Sequence, residues 1–293
     1  MAKGGRTKGR AKGKGKGRLS AGTADPHDLY QRTVQDTAFE VQLIRKLFRR
    51  RVGRPARSLR EDFCGTALLC ADWVRSHPER TALGVDIDPK VLRWGEEHNV
   101  APLGEDRHRV TLRRADVRAP SDDRSDVLVA FNYSYFCFRD RPSLRAYFEA
   151  ARGHLRDDGL LLLDLFGGWE AQQVIEEERK YRGYRYVWHQ AAFNPIDHHL
   201  EAHIHFRFAD GTELRNAFTY KWRLWTLPEV QELLLEAGFP HVEVLWEDED
   251  EDLEGTGTFR PRTKVRNDPG FNAYLLASAS PLRSTKRRGR RAP

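Results

Sequence analysis

Residues 184–193, 199–208 and 214–225 alternate apolar and polar side chains in period two, whereas residues 28–48, 68–75 and 143–155 repeat them at helical spacing. These two rhythms divide the chain. Short apolar runs, 82–85, 126–131 (DVLVAF) and 160–165 (LLLLDL), are interleaved with the helical segments, and such alternation predicts a parallel α/β sheet with helices on its faces. The period-two block interrupts this plan with an antiparallel insertion, its turns marked by Asn194-Pro195 and Asp210-Gly211. After it, Thr226-Leu227-Pro228-Glu229 predicts a helix start with Thr226 as cap and Glu229 closing a capping box; Gly238 ends that helix, and strands at 242–246 and 271–278 follow. The acidic stretch between those strands reads as a solvated loop, without the glycine spacing of a calcium loop.

The ends have neither rhythm. Residues 1–24 alternate Lys or Arg with Gly and Ala, and residues 281–293 are again basic, so both read as disordered tails. The net charge of +7 belongs to them: fourteen cations and no acid lie in residues 1–20 and 281–293, which leaves −7 for the body. A basic protein is therefore no evidence of a basic active site, although the tails offer nucleic acid a hold by counterion release. No apolar run reaches the roughly 18 residues of a membrane span and the N-terminus has no apolar secretory segment, so the expectation is a cytoplasmic protein without membrane partners. Cys64, Cys70 and Cys137 are too few for a disulfide framework and form no zinc-binding pair.

Chemistry concentrates in residues 59–88, which read as strand, turn, helix, strand. The first strand ends in Glu61 and Asp62, the turn is Cys64-Gly65-Thr66-Ala67, and Asp86 closes the second strand. That is half of a nucleotide-binding βαβ unit, in which an acid ending the second strand accepts from ribose hydroxyls. A nicotinamide site fits poorly, because GxGxxG is absent and Glu61 would set a carboxylate near a pyrophosphate.

In order along the chain, Glu61 before Cys64-Gly65-Thr66, Asp86, Asp116 beside Val117, and Asn132 after the fourth strand resemble the class I, Rossmann-like family of S-adenosyl-L-methionine-dependent methyltransferases over about residues 55–280. The resemblance implies a mostly parallel seven-stranded sheet with an antiparallel last strand, carrying the insertion (170–225) as a lid, behind an N-terminal helical cap (25–54). It implies cofactor contacts from Glu61, Phe63, Cys64, Gly65, Thr66, Asp86, Ile87, Asp116, Val117 and Asn132. Asp62 and Asp88 compete for the acidic roles, and spacing from the turn favours Glu61 and Asp86. Phe63 and Ala67 stand where the family has glycines, so the turn is expected to depart from the family geometry.

Asn132, Tyr133 and Tyr135 are the catalytic candidates, since aromatic faces after the fourth strand can meet a sulfonium charge; core packing is the competing reading for the rings. Tyr30, His203, His205 and Trp225 are candidate acceptor contacts. No metal site is expected, for His203 and His205 lack carboxylate or cysteine partners at ligand spacing. The Pro-Pro and Pro-Cys signatures of DNA methyltransferases are absent, which favours a small-molecule acceptor. RNA or protein methylation guided by the tails, and a non-catalytic scaffold on the same fold, are the alternatives.

Overall fold

The computed structural model describes residues 19–252 and 255–281. The basic stretches 1–18 and 282–293, on which the reading of disordered tails mainly rests, lie outside the described residues.

Two capped helices open the chain. α1 (Pro26–Thr33) starts on Asp25, whose carboxylate accepts from His27 N at 2.7 Å, and α2 (Thr37–Val52) starts on Asp36, which accepts from Phe39 N at 3.1 Å. Gly53 ends α2 at φ 89°, a conformation cheap only for glycine. There follow β1 (Ser58–Asp62), α3 (Leu68–Arg75), β2 (Thr81–Asp86), α4 (Pro89–Gly95) with irregular turns to residue 109, β3 (Val110–Arg114), β4 (Ser125–Ala130), α5 (Arg141–Gly153) and β5 (Leu155–Gly167). The insertion supplies β6 (Ile175–Tyr181), β7 (Tyr184–Phe193), β8 (His199–Phe208) and β9 (Glu213–Arg223). After α6 (Leu227–Glu236) come β10 (His241–Glu249), β11 (Gly255–Pro261) and β12 (Phe271–Ser278). The capping box of Thr226 and Glu229 is formed as its spacing requires.

The main sheet has the order β11-β10-β12-β5-β4-β1-β2-β3. Strands β3, β2, β1, β4 and β5 are parallel, and β12 runs antiparallel to both β5 and β10. It has eight strands rather than seven, because part of the acidic loop pairs as the edge strand β11. All six residues of β4 are buried, as a central parallel strand requires. One face packs Leu128, Leu161 and Leu163 beneath α5 and α6; the other packs Val127, Leu160 and Leu162 beneath α2 and α3. Each such side chain contributes about 1.5–3 kcal/mol, and Leu162→Ala would cost about 2–5 kcal/mol.

The insertion is a separate four-stranded meander, β6-β7-β8-β9. It docks through Leu200, Ala202, Trp222 and Leu224, which belong to the same core as Leu163 and Leu165 of β5. Residues 19–24, assigned to the tail by composition, instead pack on this sheet: Ala21 N donates to Thr212 Oγ1 at 2.9 Å, and Leu19, Ala21 and Ala24 join the cluster of Tyr184 and Phe206. Their apolar side chains set them apart from the Lys-Gly repeat before them. Among the described residues no helix is long and apolar enough to cross a membrane.

Candidate functional site

The two acids ending β1 diverge, because successive strand residues face opposite sides of the sheet. Asp62 is buried against Arg60 Nε at 2.7 Å and accepts from Tyr147 Oη at 3.2 Å, so it belongs to the core. Glu61 faces the other way and accepts from Cys70 N and Sγ at 3.2 and 3.0 Å. Burial pushes its carboxyl up to about 8 against the pull of the Cys70 bonds, with Asp86 and Asp62 adding repulsion.

The chain then makes a turn in which Phe63, Gly65 and Ala67 all have positive φ, at 58°, 52° and 54°. The turn is therefore left-handed at two positions without glycine, at a strain of about 1–2 kcal/mol for each. The surroundings hold it in place. Cys64 N donates to Val85 O at 3.0 Å, Gly65 N to Asp86 Oδ2 at 2.8 Å, and Asn99 Nδ2 to Thr66 O at 2.8 Å. Glycines missing from the turn recur beneath it. A Cβ at Gly84 would lie 2.8 Å from Cys64 Sγ, and one at Gly95 would lie 2.4 Å from Thr66 O, so β2 and α4 can approach the turn only as glycine. Above Gly65 the space is open, with no atom other than those of its immediate chain neighbours within 4 Å of where a Cβ would stand.

Asp86 ends β2 beside this opening, one oxygen on Gly65 N and the other accepting from Asp88 N at 2.9 Å. Asp88 is the helix cap of α4, accepting from Lys90 N at 2.7 Å, whereas Asp86 is the acid bonded to the turn. Ile87 is 68 % exposed, a large apolar side chain on the surface next to Asp86. Asp116 is paired with Arg118 at 2.7 Å, which holds its carboxyl below the usual carboxylate range; the same guanidinium lies over Phe138. Val117 is buried, and its carbonyl accepts from Arg60 Nη2 at 3.2 Å. On the open side, α1 crosses the turn: Gln31 Nε2 donates to Thr66 Oγ1 at 2.7 Å, and Trp94 Nε1 to Asp25 Oδ2 at 2.8 Å.

Beyond β4, Asn132 and Tyr133 are consecutive left-handed residues, both at φ 57°. The carboxylate of Asp164 on β5 fixes them, accepting from Asn132 N at 2.7 Å and Tyr133 N at 2.9 Å. Burial raises Asp164 to about 7 although both amides favour its charged form. Asn132 and Tyr133 so placed enter a cavity of about 450 Å³ between the main sheet and the inner face of the meander. Tyr30, Phe166, Tyr186, Trp188, Tyr220 and Trp222 supply its aromatic walls, and Glu170, Glu177 and Arg179 stand exposed at its mouth. Tyr133 donates its hydroxyl to Asn272 Oδ1, and Tyr30 shares a hydrogen bond with Tyr220. Burial raises the phenols of Tyr30, Tyr133 and Tyr220, and that of Tyr186 to about 12, so all four stay neutral at neutral pH.

Four sequence candidates fall elsewhere. Tyr135 is 0 % exposed, with its hydroxyl on Asp164 O at 2.9 Å, because the turn at Asn132-Tyr133 sends the following residues back into the core. Trp225 is 1 % exposed, donates to Phe138 O at 3.0 Å and lies under Arg223, so it packs rather than recognises. His203 and His205 project from the outer face of the meander, opposite Ile204 and the cavity. There they meet His189, Thr219 and the Asn216 amide, and burial lowers His205. Among the described residues no cluster could hold a metal ion. Sequence reasoning missed Asp164, Trp188 and Trp222. Asp164 had a signal, being the lone acid in the apolar run 160–165.

No family model matches the sequence, and no curated protein matches it. Solved structures do. An S-adenosylmethionine-dependent methyltransferase from Clostridium acetobutylicum is similar at TM-score 0.63 and 15 % identity, over 87 % of this chain and 98 % of that one. An amino pentose methyltransferase from Micromonospora echinaspora, solved with S-adenosylmethionine bound, is similar at 0.61 and 16 %, over 86 % and 95 %. A sugar N-methyltransferase from a Streptoalloteichus species is similar at 0.57 and 20 %, over 95 % and 98 %. The chain has the fold of the class I S-adenosylmethionine-dependent methyltransferases.

Proposed function

We propose that this protein is an S-adenosylmethionine-dependent methyltransferase whose acceptor is a small molecule held between the main sheet and the meander. One observation carries the reading: Phe63 and Ala67 are held in left-handed strain around an open-topped Gly65, with Asp86 and the exposed Ile87 beside it. Strain maintained by this many surrounding hydrogen bonds is the mark of a ligand-shaped turn.

The residues present fit the cofactor. Asp86 would take the ribose hydroxyls, Ile87 would cover the adenine, and Asp116 would face the adenine amino group while sharing its charge with Arg118. Glu61 gives the methionine end a carboxylate where a cation is welcome. When bound, the cofactor supplies a methyl group already activated for in-line displacement. The protein's part is alignment and the exclusion of water, with α1 closing over the turn and the aromatic walls closing around the acceptor.

Proton handling narrows the acceptor. The phenols in the cavity are too weakly acidic to serve as bases, the histidines face outward, and the remaining carboxylates, Glu170 and Glu177, lie at the mouth. Such a lining suits a nucleophile arriving with its lone pair free, an amine rather than an alcohol. One of the similar structures is described as a sugar N-methyltransferase and another as an amino pentose methyltransferase, which supports the same choice.

The test is calorimetric titration of the full chain with S-adenosylmethionine, followed by transfer of labelled methyl into pools of small amines and, separately, into RNA. No heat of binding from folded protein would sink the enzyme reading. Label in RNA alone would replace the small-molecule acceptor with the tail-guided alternative.

A further inference from the structure

Strand β6 carries charge on both faces, and the two faces are partnered differently. On the outer face Glu176 and Glu178 are paired with Arg207, and Glu178 also with Arg185 at 3.2 Å. On the inner face Ile175, Glu177 and Arg179 line the cavity, each opposite a residue of β7 that lines it too, Gln190, Trp188 and Tyr186 in turn. Among the described residues the side chains of Arg179 and Glu177 have no ion-pair or hydrogen-bond partner. Burial raises the phenols of Tyr133 and Tyr186, and the Arg179 guanidinium is the charge that opposes it in both.

Protection of a sheet edge does not account for this placement. β6 is an edge strand of the meander, where charged side chains discourage pairing with another chain, but Glu176, Glu178 and Lys180 on the outer face already meet that need. Arg179 instead sets a free guanidinium at the mouth of a cavity walled by aromatic rings, and its planar fork of donors matches a carboxylate two bonds at a time. Two acids share the mouth. Glu177 lies two residues along the strand, roughly 7 Å from Arg179, and the carboxylate of Glu170 comes within 3.7 Å of where a Cβ at Gly270 would stand. This mixture of signs disfavours a phosphate, whose second negative charge would meet both acids, and it leaves Arg179 unanswered by a simple amine.

We propose that Arg179 is a specificity-determining residue that binds a carboxylate of the acceptor, so that the acceptor is an amino acid, with its nitrogen directed inward toward Asn132 and its apolar body against the rings of Tyr186 and Trp188. The proposal rests on the small-amine reading above and narrows it by one chemical group. Arg179 reads the acceptor at the end away from the reacting nitrogen, so its effect falls on KM and not on the chemical step.

The experiment gives the full-length protein S-adenosylmethionine with a labelled methyl group and a set of matched probes: phenylalanine, leucine and γ-aminobutyrate, the amide of each, the amine left when each loses its carboxylate, O-phosphoethanolamine and, separately, RNA. Binding of the same small probes is followed by calorimetry in the presence of S-adenosylhomocysteine. At least one free acid is expected to be methylated with kcat/KM about tenfold or more above its amide and its amine. Arg179→Gln should raise KM for that acid about tenfold, leave kcat and the affinity for S-adenosylmethionine within about twofold, and bring acid and amide level. Arg179→Lys, which keeps the charge and loses the fork, should fall between the two. The comparison of probes on wild type decides the matter even if a variant folds poorly. An amide or amine methylated as well as its acid, an unchanged KM in Arg179→Gln, or label confined to O-phosphoethanolamine overturns the proposal and leaves the small-amine reading standing. Free acids that neither bind nor take label overturn it as well. Label in RNA alone, or wild type that does not bind S-adenosylmethionine, overturns both.

Discussion

Three of the five residues from Phe63 to Ala67 have positive φ, and the acid just before them, Glu61, is buried with its carboxyl raised. On the opposite side, none of the meander residues lining the cavity has positive φ, and most of their side chains are uncharged, with the rings of Tyr186, Trp188, Tyr220 and Trp222 among them, on relaxed strands. One wall stores strain and unbalanced charge; the other stores shape. A wall of the first kind suits a ligand of fixed structure whose charges can be anticipated atom by atom. A wall of the second kind is easily re-cut by exchanging one ring for another, which is where acceptor choice would reside.

If that division is right, the two walls answer differently to mutation. The largest effect is expected from Asp86→Ala, which removes the acid beside Gly65: binding of S-adenosylmethionine should weaken about a hundredfold by calorimetry, since hydrogen bonds to a charged group are worth about 1.5–3 kcal/mol each. Trp188→Ala, on the opposite wall, should raise the acceptor KM about tenfold and leave cofactor affinity within about twofold. Equal losses in both would erase the distinction. A third measurement uses acidity. Glu61 titrates near 8 and Asp164 near 7 in the folded chain, against ordinary values of 4.5 and 3.8, so the folded state holds more protons than the unfolded across that window. Stability of the ligand-free protein should therefore fall as pH rises from about 4.5 to about 8. A cation offsets the charge that appears, so the gain in melting temperature from S-adenosylmethionine should be larger at about pH 8.5 than at about pH 6. Ala67→Gly should stabilise the free protein by up to about 1 kcal/mol in urea unfolding, because it removes strain at φ 54°. The smallest effect is reserved for the outward histidines: with His203→Gln and His205→Gln together, turnover should stay within about twofold.

The strand and helix rhythm made most of this legible in advance. β12 runs over the same eight residues, 271–278, that its pattern marks, and the cap at Thr226 forms as spelled. What escaped were edges and faces. β6 is IEEERKY, a charged strand held by pairing to β7 at the rim, and β11 is rich in Gly and Thr, so neither carries an apolar signature. Period two correctly placed His203 and His205 on one face of β8, but not which face turns inward. That information was present in their neighbours, since Ala202, Ile204 and Phe206 make the alternate face the one to bury. Tyr135 and Trp225 illustrate a harder limit. Aromatic residues near a site pattern can line it or underlie it, and for Tyr135 two left-handed residues with no glycine to announce them decided the matter.

Tyr30 and Gln31 are adjacent on α1, yet Gln31 is bonded to the Phe63–Ala67 turn through Thr66 while Tyr30 is bonded to the meander through Tyr220 and packs on Phe218 with ring centroids 4.8 Å apart. The first described residues extend the same linkage, since Ala21 is tied to Thr212 at the far end of the meander. One short helix thereby serves as a common bolt for two doors. On the proposed reading, the cofactor cannot leave past α1 without loosening the acceptor's aromatic wall, and initial-rate kinetics should show a compulsory order of arrival and departure instead of a random one.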